Sequence, residues 1–132
     1  MRQHGQQLSQ LVFLVFAVFL TLLYGCQRST ATISGVSVPV PEEMKKIADK
    51  DFQKIPGYNV QQATFEGKAT GDVIFRFYQE NMAAKGWVPN AVLGGGEGKI
   101  AYTKDNKVLL ITYQTDPAGI TTLVLMVGTQ PS

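Results

Sequence analysis

The sequence predicts an α+β domain: an antiparallel sheet of four to five strands, one long helix packed on one face and a short N-terminal helix. Two observations carry this. Gly71 to Lys85 holds an apolar stripe at helical spacing, bounded by a capping residue and a glycine. Trp87 to Gly128 breaks into short apolar segments separated by turn residues. One amphipathic helix followed by a run of strands is the α+β order.

Gln27 to Val40 is rich in Ser, Thr, Gly and Val and carries one charge, Arg28, so it reads as a tether. Val36 to Val40 is able to pair as a short edge strand, limited by Pro39 and Pro41. Pro41 to about Phe52 reads as the short helix. Proline fits the first helical position, Glu42 and Glu43 suit the positive end, and Met44, Ile47 and Ala48 share a face. Pro56-Gly57 then breaks the chain.

Tyr58 to Glu66 reads as a strand. Tyr58 and Val60 lie on one parity, Ala63 and Phe65 on the other, and a bulge near Gln61-Gln62 reconciles them. In the long helix Thr70 is the N-cap and Asp72 sits in the first turn. Ile74, Phe77, Tyr78 and Met82 form the stripe, with Val73 and Ala84 at its edges. Gly86 suits the left-handed residue that ends a helix, and Trp87 falls where it touches Met82.

The strands that follow are Trp87–Leu93, Lys99–Thr103, Lys107–Thr115 and Ile120–Gly128. Asp105-Asn106 is a two-residue turn, and Asp116 to Gly119 makes the next connection. In the last strand Leu123, Leu125 and Val127 share a face while Val124 and Met126 oppose them. This pattern fits a strand central in the sheet or buried on both sides.

The chemistry is bounded by what the chain lacks. Its one histidine is His4 and its one cysteine is Cys26, both near the N-terminus. Downstream of Cys26 there is no imidazole and no thiol, which removes Ser-His-Asp and Cys-His catalysis and zinc or haem sites built on these groups. No catalytic, cofactor-binding or metal residue is assigned. With 12 Lys+Arg against 10 Asp+Glu, the chain has no strong field to draw nucleic acid.

Leu11 to Leu23 is apolar except for Thr21 and follows a weakly positive start at Arg2. This is the pattern of a secretory signal peptide, and the run is marginal for a permanent span. Leu23-Tyr24-Gly25-Cys26 closes it. That stretch resembles the lipobox of bacterial lipoproteins, although Tyr24 is larger than is usual there. The resemblance implies cleavage between Gly25 and Cys26 and acylation of Cys26, with a membrane anchor through its lipid. The organisation expected is then 1–25 signal peptide, 26–40 lipidated cysteine and tether, and 41–132 a single α+β domain. A tether of that length reaches about 50 Å when fully extended. Gln27, where enteric sorting uses aspartate for inner-membrane retention, favours the outer membrane over the inner.

Val38-Pro39-Val40-Pro41, then Phe77-Tyr78, Met82 and Lys85-Gly86-Trp87, are similar to the rhythm of small bacterial envelope lipoproteins, in which a tyrosine–methionine–glycine–tryptophan helix exit leads into β-hairpins. This resemblance spans roughly Val38 to Thr115. It implies packing and carries no activity.

Gly94-Gly95-Gly96-Glu97-Gly98-Lys99 departs from a phosphate-binding loop, because Leu93 stands where glycine is needed and Ile100 where Ser or Thr is needed. It reads as a hairpin loop able to mould to a partner. Phe75 lies off the helical stripe and is the candidate exposed aromatic. The expected partner contacts are therefore Phe75, Gly94, Gly95 and Gly96. Lys46, Lys50 and Lys54 recur every four residues and read as a solvated helical face. The expected function is a non-catalytic lipid-anchored envelope protein, an accessory or scaffold subunit contacting another envelope protein, with strand addition at a sheet edge as its natural mode. The alternative is a small module that binds a hydrophobic ligand between helix and sheet. A third class, an enzyme using carboxylates alone, requires two acids in one cleft.

Overall fold

The computed structural model describes residues 29–52, 56–94 and 97–131. The N-terminal segment, including the lipobox-like stretch Leu23 to Cys26, together with Lys54, Gly95 and Gly96, lies outside the described residues. The chain forms β1 (Thr30–Ile33), β2 (Val36–Pro39), β3 (Met44–Phe52), β4 (Asn59–Gly67), α1 (Gly71–Met82), β5 (Val88–Pro89), α2 (Ala91–Gly94), β6 (Lys99–Lys104), β7 (Lys107–Thr115) and β8 (Thr121–Thr129). β1 and β2 make a separate hairpin. The other strands make one antiparallel six-stranded sheet in the order β3-β4-β8-β7-β6-β5. The α+β class is as the sequence predicts, but the main sheet has six strands rather than four to five.

The register divides the sheet into two faces. Leu123, Leu125 and Val127 of β8 stand beside Phe65 and Ala63 of β4 and Tyr113, Ile111 and Leu109 of β7. This inner face packs against Ile74, Tyr78 and Met82 of α1 and against Ile33, Val36 and Val38 of the hairpin. Fully burying side chains of this kind contributes about 1.5–3 kcal/mol each.

Four expectations about individual elements are corrected. Pro41–Phe52 is not a helix. Pro41 accepts a bond from the Met44 N–H in a turn, and the nine-residue β3 then pairs with β4 at eight positions. The helical spacing of Met44, Ile47 and Ala48 arises from a bulge. Pairing skips Ile47 between Lys46 and Ala48, so Met44 is buried, Ile47 stands 56% exposed, and Ala48 faces the far side of the sheet. Lys46 and Lys50 consequently point to opposite faces rather than sharing the helical face expected of them. Non-local pairing outweighs local helix signals here.

The bulge expected at Gln61-Gln62 is absent, since β4 pairs with β8 without a register shift. Val60 belongs to the outer face, where it is buried, and Ala63 and Phe65 belong to the inner one.

Thr30 to Val40, expected to be tether, is a folded hairpin. Ser34 and Gly35 both take positive φ in its two-residue turn. The Ser34 N–H donates to Gln61 Oε1 at 2.6 Å, and Ile33, Val36, Val38 and Val40 join the core. The short polar residues that suggested a tether occupy its exposed positions, Thr30, Thr32 and Ser37.

The long helix is read in part: the α-helix expected over Gly71 to Lys85 covers Gly71–Met82. Thr70 Oγ1 accepts from the Val73 N–H, and a 3₁₀ turn at Ala83–Lys85 extends α1 to Gly86 at φ 83°. Gly86 N–H donates to Ala83 and Trp87 N–H to Met82, the two bonds of a Schellman stop. The strand expected over Trp87–Leu93 shrinks to Val88–Pro89. The Asn90 N–H still donates to the Ala101 carbonyl, and Asn90 Oδ1 then accepts from Val92 and Leu93 to start the one-turn α2, which ends the strand.

Candidate functional site

Antiparallel pairing sends alternate residues of β7 and β8 to the outer face of the sheet. Val108 and Leu110 of β7 stand there, with Met126 cross-strand from Leu110, and Val124 from Thr112. β8 is central, flanked by β4 and β7, so this apolar strip lies in the middle of the sheet. Its residues are only half-buried. Among the described residues, α1 and the β1–β2 hairpin occupy the inner face, while α2 lies along β6 and reaches β7, leaving the β8 part of the strip without a packed helix.

The flanks of this face are basic. Lys45 and Lys50 of β3 and Lys99 of β6 project to the same side, with Glu66 the one acid in these strands that does so. Lys50 Nζ lies 4.8 Å from the Phe52 ring centroid, which holds the cation against the apolar surface. An apolar strip between lysine flanks is a face that a macromolecule with an apolar centre and acidic margin complements.

The sheet edges are poorer contacts. β3 carries Lys45, Lys46, Asp49, Lys50 and Asp51, a Lys46–Asp49 ion pair at 2.8 Å and the bulge at Ile47. β5 is two residues long and contains Pro89. Charges, bulges and proline are the devices that block edge pairing, which argues against the expected strand addition.

Of the predicted contact residues, Phe75 and Gly94 are described and Gly95 and Gly96 lie outside the described residues. Phe75 is 43% exposed on α1, on the opposite side of the sheet from the apolar strip. Gly94 is buried, and a Cβ added to it lies 2.6 Å from the Ala101 amide nitrogen, so it serves close packing of α2 on β6. Sequence reasoning passed over the outer face, although its signal was present as apolar residues on both parities of β7 and β8.

Continuous with this face at Val124 and Lys99 is an open hollow of about 630 Å³, also lined by Gly71, Glu97, Tyr113 and neighbouring threonines. Burial pushes the Tyr113 phenol above its usual range, and the negative charges of Asp72 and Glu97 add to the shift. Glu97 is the only carboxylate in the lining, so this hollow does not supply the acid pair that carboxylate catalysis requires. No group of three His, Cys, Asp or Glu able to hold a metal occurs among the described residues.

Comparison with family models, curated proteins and solved structures finds no match to this chain.

Proposed function

We propose that the protein is a lipid-anchored, non-catalytic subunit of a bacterial envelope, most consistent with the outer membrane, and that it meets another envelope protein through the outer face of its sheet. The observation that carries this reading is the half-buried strip Val108, Leu110, Val124 and Met126, open at the centre of the sheet and flanked by lysines. Exposed apolar surface with a polar margin marks interaction sites. The lipobox resemblance at Leu23 to Cys26 supplies the address.

The experiment is site-specific photo-crosslinking of the full-length protein in its native membrane. A photoreactive residue at Met126 is expected to capture one dominant envelope protein, and one at Arg76 on the solvent side of α1 is not. Equal capture from the two positions, or none from Met126, overturns the reading.

A small hydrophobic ligand between helix and sheet is the second reading. One observation favours it: the Tyr78 hydroxyl is buried there without a hydrogen-bond partner. Against it, Ile74, Tyr78, Met82, Leu109, Ile111, Leu123 and Leu125 fill that interface with no exposed surface.

A further inference from the structure

The fold has two distinguishable ends. At one, β3 begins at Met44 beside Gly67, Gly67 stands beside Thr121, and Thr121 stands beside Thr115. α1 starts at this end, four residues beyond the last pair of β4, and the Asp116–Gly119 turn closes it. At the other end, Gln130 and Asn106 exchange bonds between N–H and C=O groups, and Tyr58 accepts from the Gln130 amide. Eight steps of β7 and β8 at about 3.4 Å each separate the two ends by roughly 27 Å.

The chain enters the fold at the first end. The Val40 N–H donates to the Ser29 carbonyl at 2.9 Å, which pins Ser29 beside the turn that leads into β3. Cys26 precedes Ser29 by three residues. Three residues reach at most about 11 Å when fully extended. The folding of Thr30 to Val40 into a hairpin thus shortens the expected tether of about 50 Å to less than half the length of the sheet.

Three exposed apolar groups lie toward the same end, although Tyr58 and Val88 are exposed toward the other. Val73 and Phe75, 44% and 43% exposed, stand in the first turns of α1. Ile47, at the bulge early in β3, lines with Ile120 an open hollow of about 710 Å³ beside Gly67. The charges here are mixed: Glu42, Glu43, Glu66, Asp72 and Asp116 against Lys45, Lys46 and Lys68. Such a surface has no net attraction to anionic headgroups, which leaves the lipid anchor and apolar contact to hold it.

We propose that the end bearing Ser29, the first turn of α1 and the Ile47–Ile120 hollow is the membrane-facing surface of the domain, so that the sheet stands on the bilayer and its outer face is open to the side. This rests on the lipid-anchor reading, with a lipid surface as the occupant. A three-residue link excludes the inverted orientation, because the far end lies beyond its reach. Val73, Phe75, Ile47 and Ile120 then supply contacts at the depth of the headgroups, and the orientation is insensitive to salt.

The test uses the protein processed in its host, its acyl groups verified by mass spectrometry, in nanodiscs of phosphatidylethanolamine and phosphatidylglycerol that contain a gadolinium-chelating lipid. Amide NMR signals of Val73, Phe75, Gly119 and Ile120 are expected to lose intensity several-fold more than those of Tyr58, Asn106 and Gln130, in low and in high salt alike. Acylated protein with equal loss at the two ends, or greater loss at Asn106 and Gln130, overturns this inference alone. Protein without acyl groups on Cys26 overturns the anchor reading and this inference with it.

Discussion

The Thr121 hydroxyl donates to the Ala69 carbonyl across 52 residues of sequence, at 2.5 Å, and is fully buried. Its single proton is thereby committed. The 2.7 Å contact between the Thr115 and Thr121 hydroxyls is then donated by Thr115. These two bonds join the start of β8, the end of β7 and the turn between β4 and α1. They fix the end of the fold at which the chain enters.

Thr121→Val keeps the shape and removes the hydroxyl, leaving the Ala69 carbonyl without its partner. The expected cost is about 1–3 kcal/mol. For a domain of this size each 1 kcal/mol lowers Tm by about 4–8 °C. Thr121→Ser retains the hydroxyl and is expected to lose less. A thermal melt in which Val and Ser variants match wild type contradicts the role assigned to this bond.

Tyr78 presents the opposite case, a buried hydroxyl with no partner. Burial pushes its phenol far above the usual tyrosine range. Tyr78→Phe removes an unsatisfied group and is expected to raise stability by about 1 kcal/mol. The sign of the pH effect follows. With the folded pKa above the unfolded one, stability is unaffected by this group below about pH 10, where both states hold the proton. Above it the unfolded state loses its proton first, and stability falls as pH rises. Wild type is expected to lose stability above pH 10 more steeply than Tyr78→Phe, as read by urea midpoints on either side of that pH. Parallel profiles would falsify the assignment.

Gly94 tests whether the glycine-rich loop acts through its first residue or packs it. A Cβ there meets the backbone of Ala101 and Ile100. Gly94→Ala is expected to cost about 1–3 kcal/mol by overpacking. Val92→Ala, two residues earlier and 94% exposed, is expected to change stability by no more than about 0.5 kcal/mol. Equal melting temperatures for the two variants contradict the close approach of α2 to β6.

The elements legible in the sequence were those built from local chemistry. Thr70, Gly86 and Trp87 mark the ends of α1 because caps act within one turn. Asp105-Asn106 marks the β6–β7 turn for the same reason, with Asp105 at positive φ. What local signals missed was set by distant partners. β3 exists because β4 pairs with it, and the bulge at Ile47 imitates helical spacing. The β1–β2 hairpin is held by Gln61, 27 residues from Ser34. The outer strip was half legible. Val124 and Met126 were visible as a second apolar parity, but only the sheet order shows that no described layer covers them.

The outer face also separates stability from recognition. Met126→Glu adds an acid to a half-buried strip whose flanks are basic. It is expected to abolish capture of the partner while circular dichroism and Tm remain close to wild type. Unchanged capture contradicts the assignment of this face.

The most direct test of the account is mass spectrometry of the mature protein extracted from its own membranes, with Cys26→Ser alongside. The expected product is a chain beginning at Cys26 with acyl groups attached, and an unlipidated product for the variant. A chain that retains residues before Cys26, with its thiol unmodified, contradicts the lipid anchor and with it the orientation and the envelope partner proposed here.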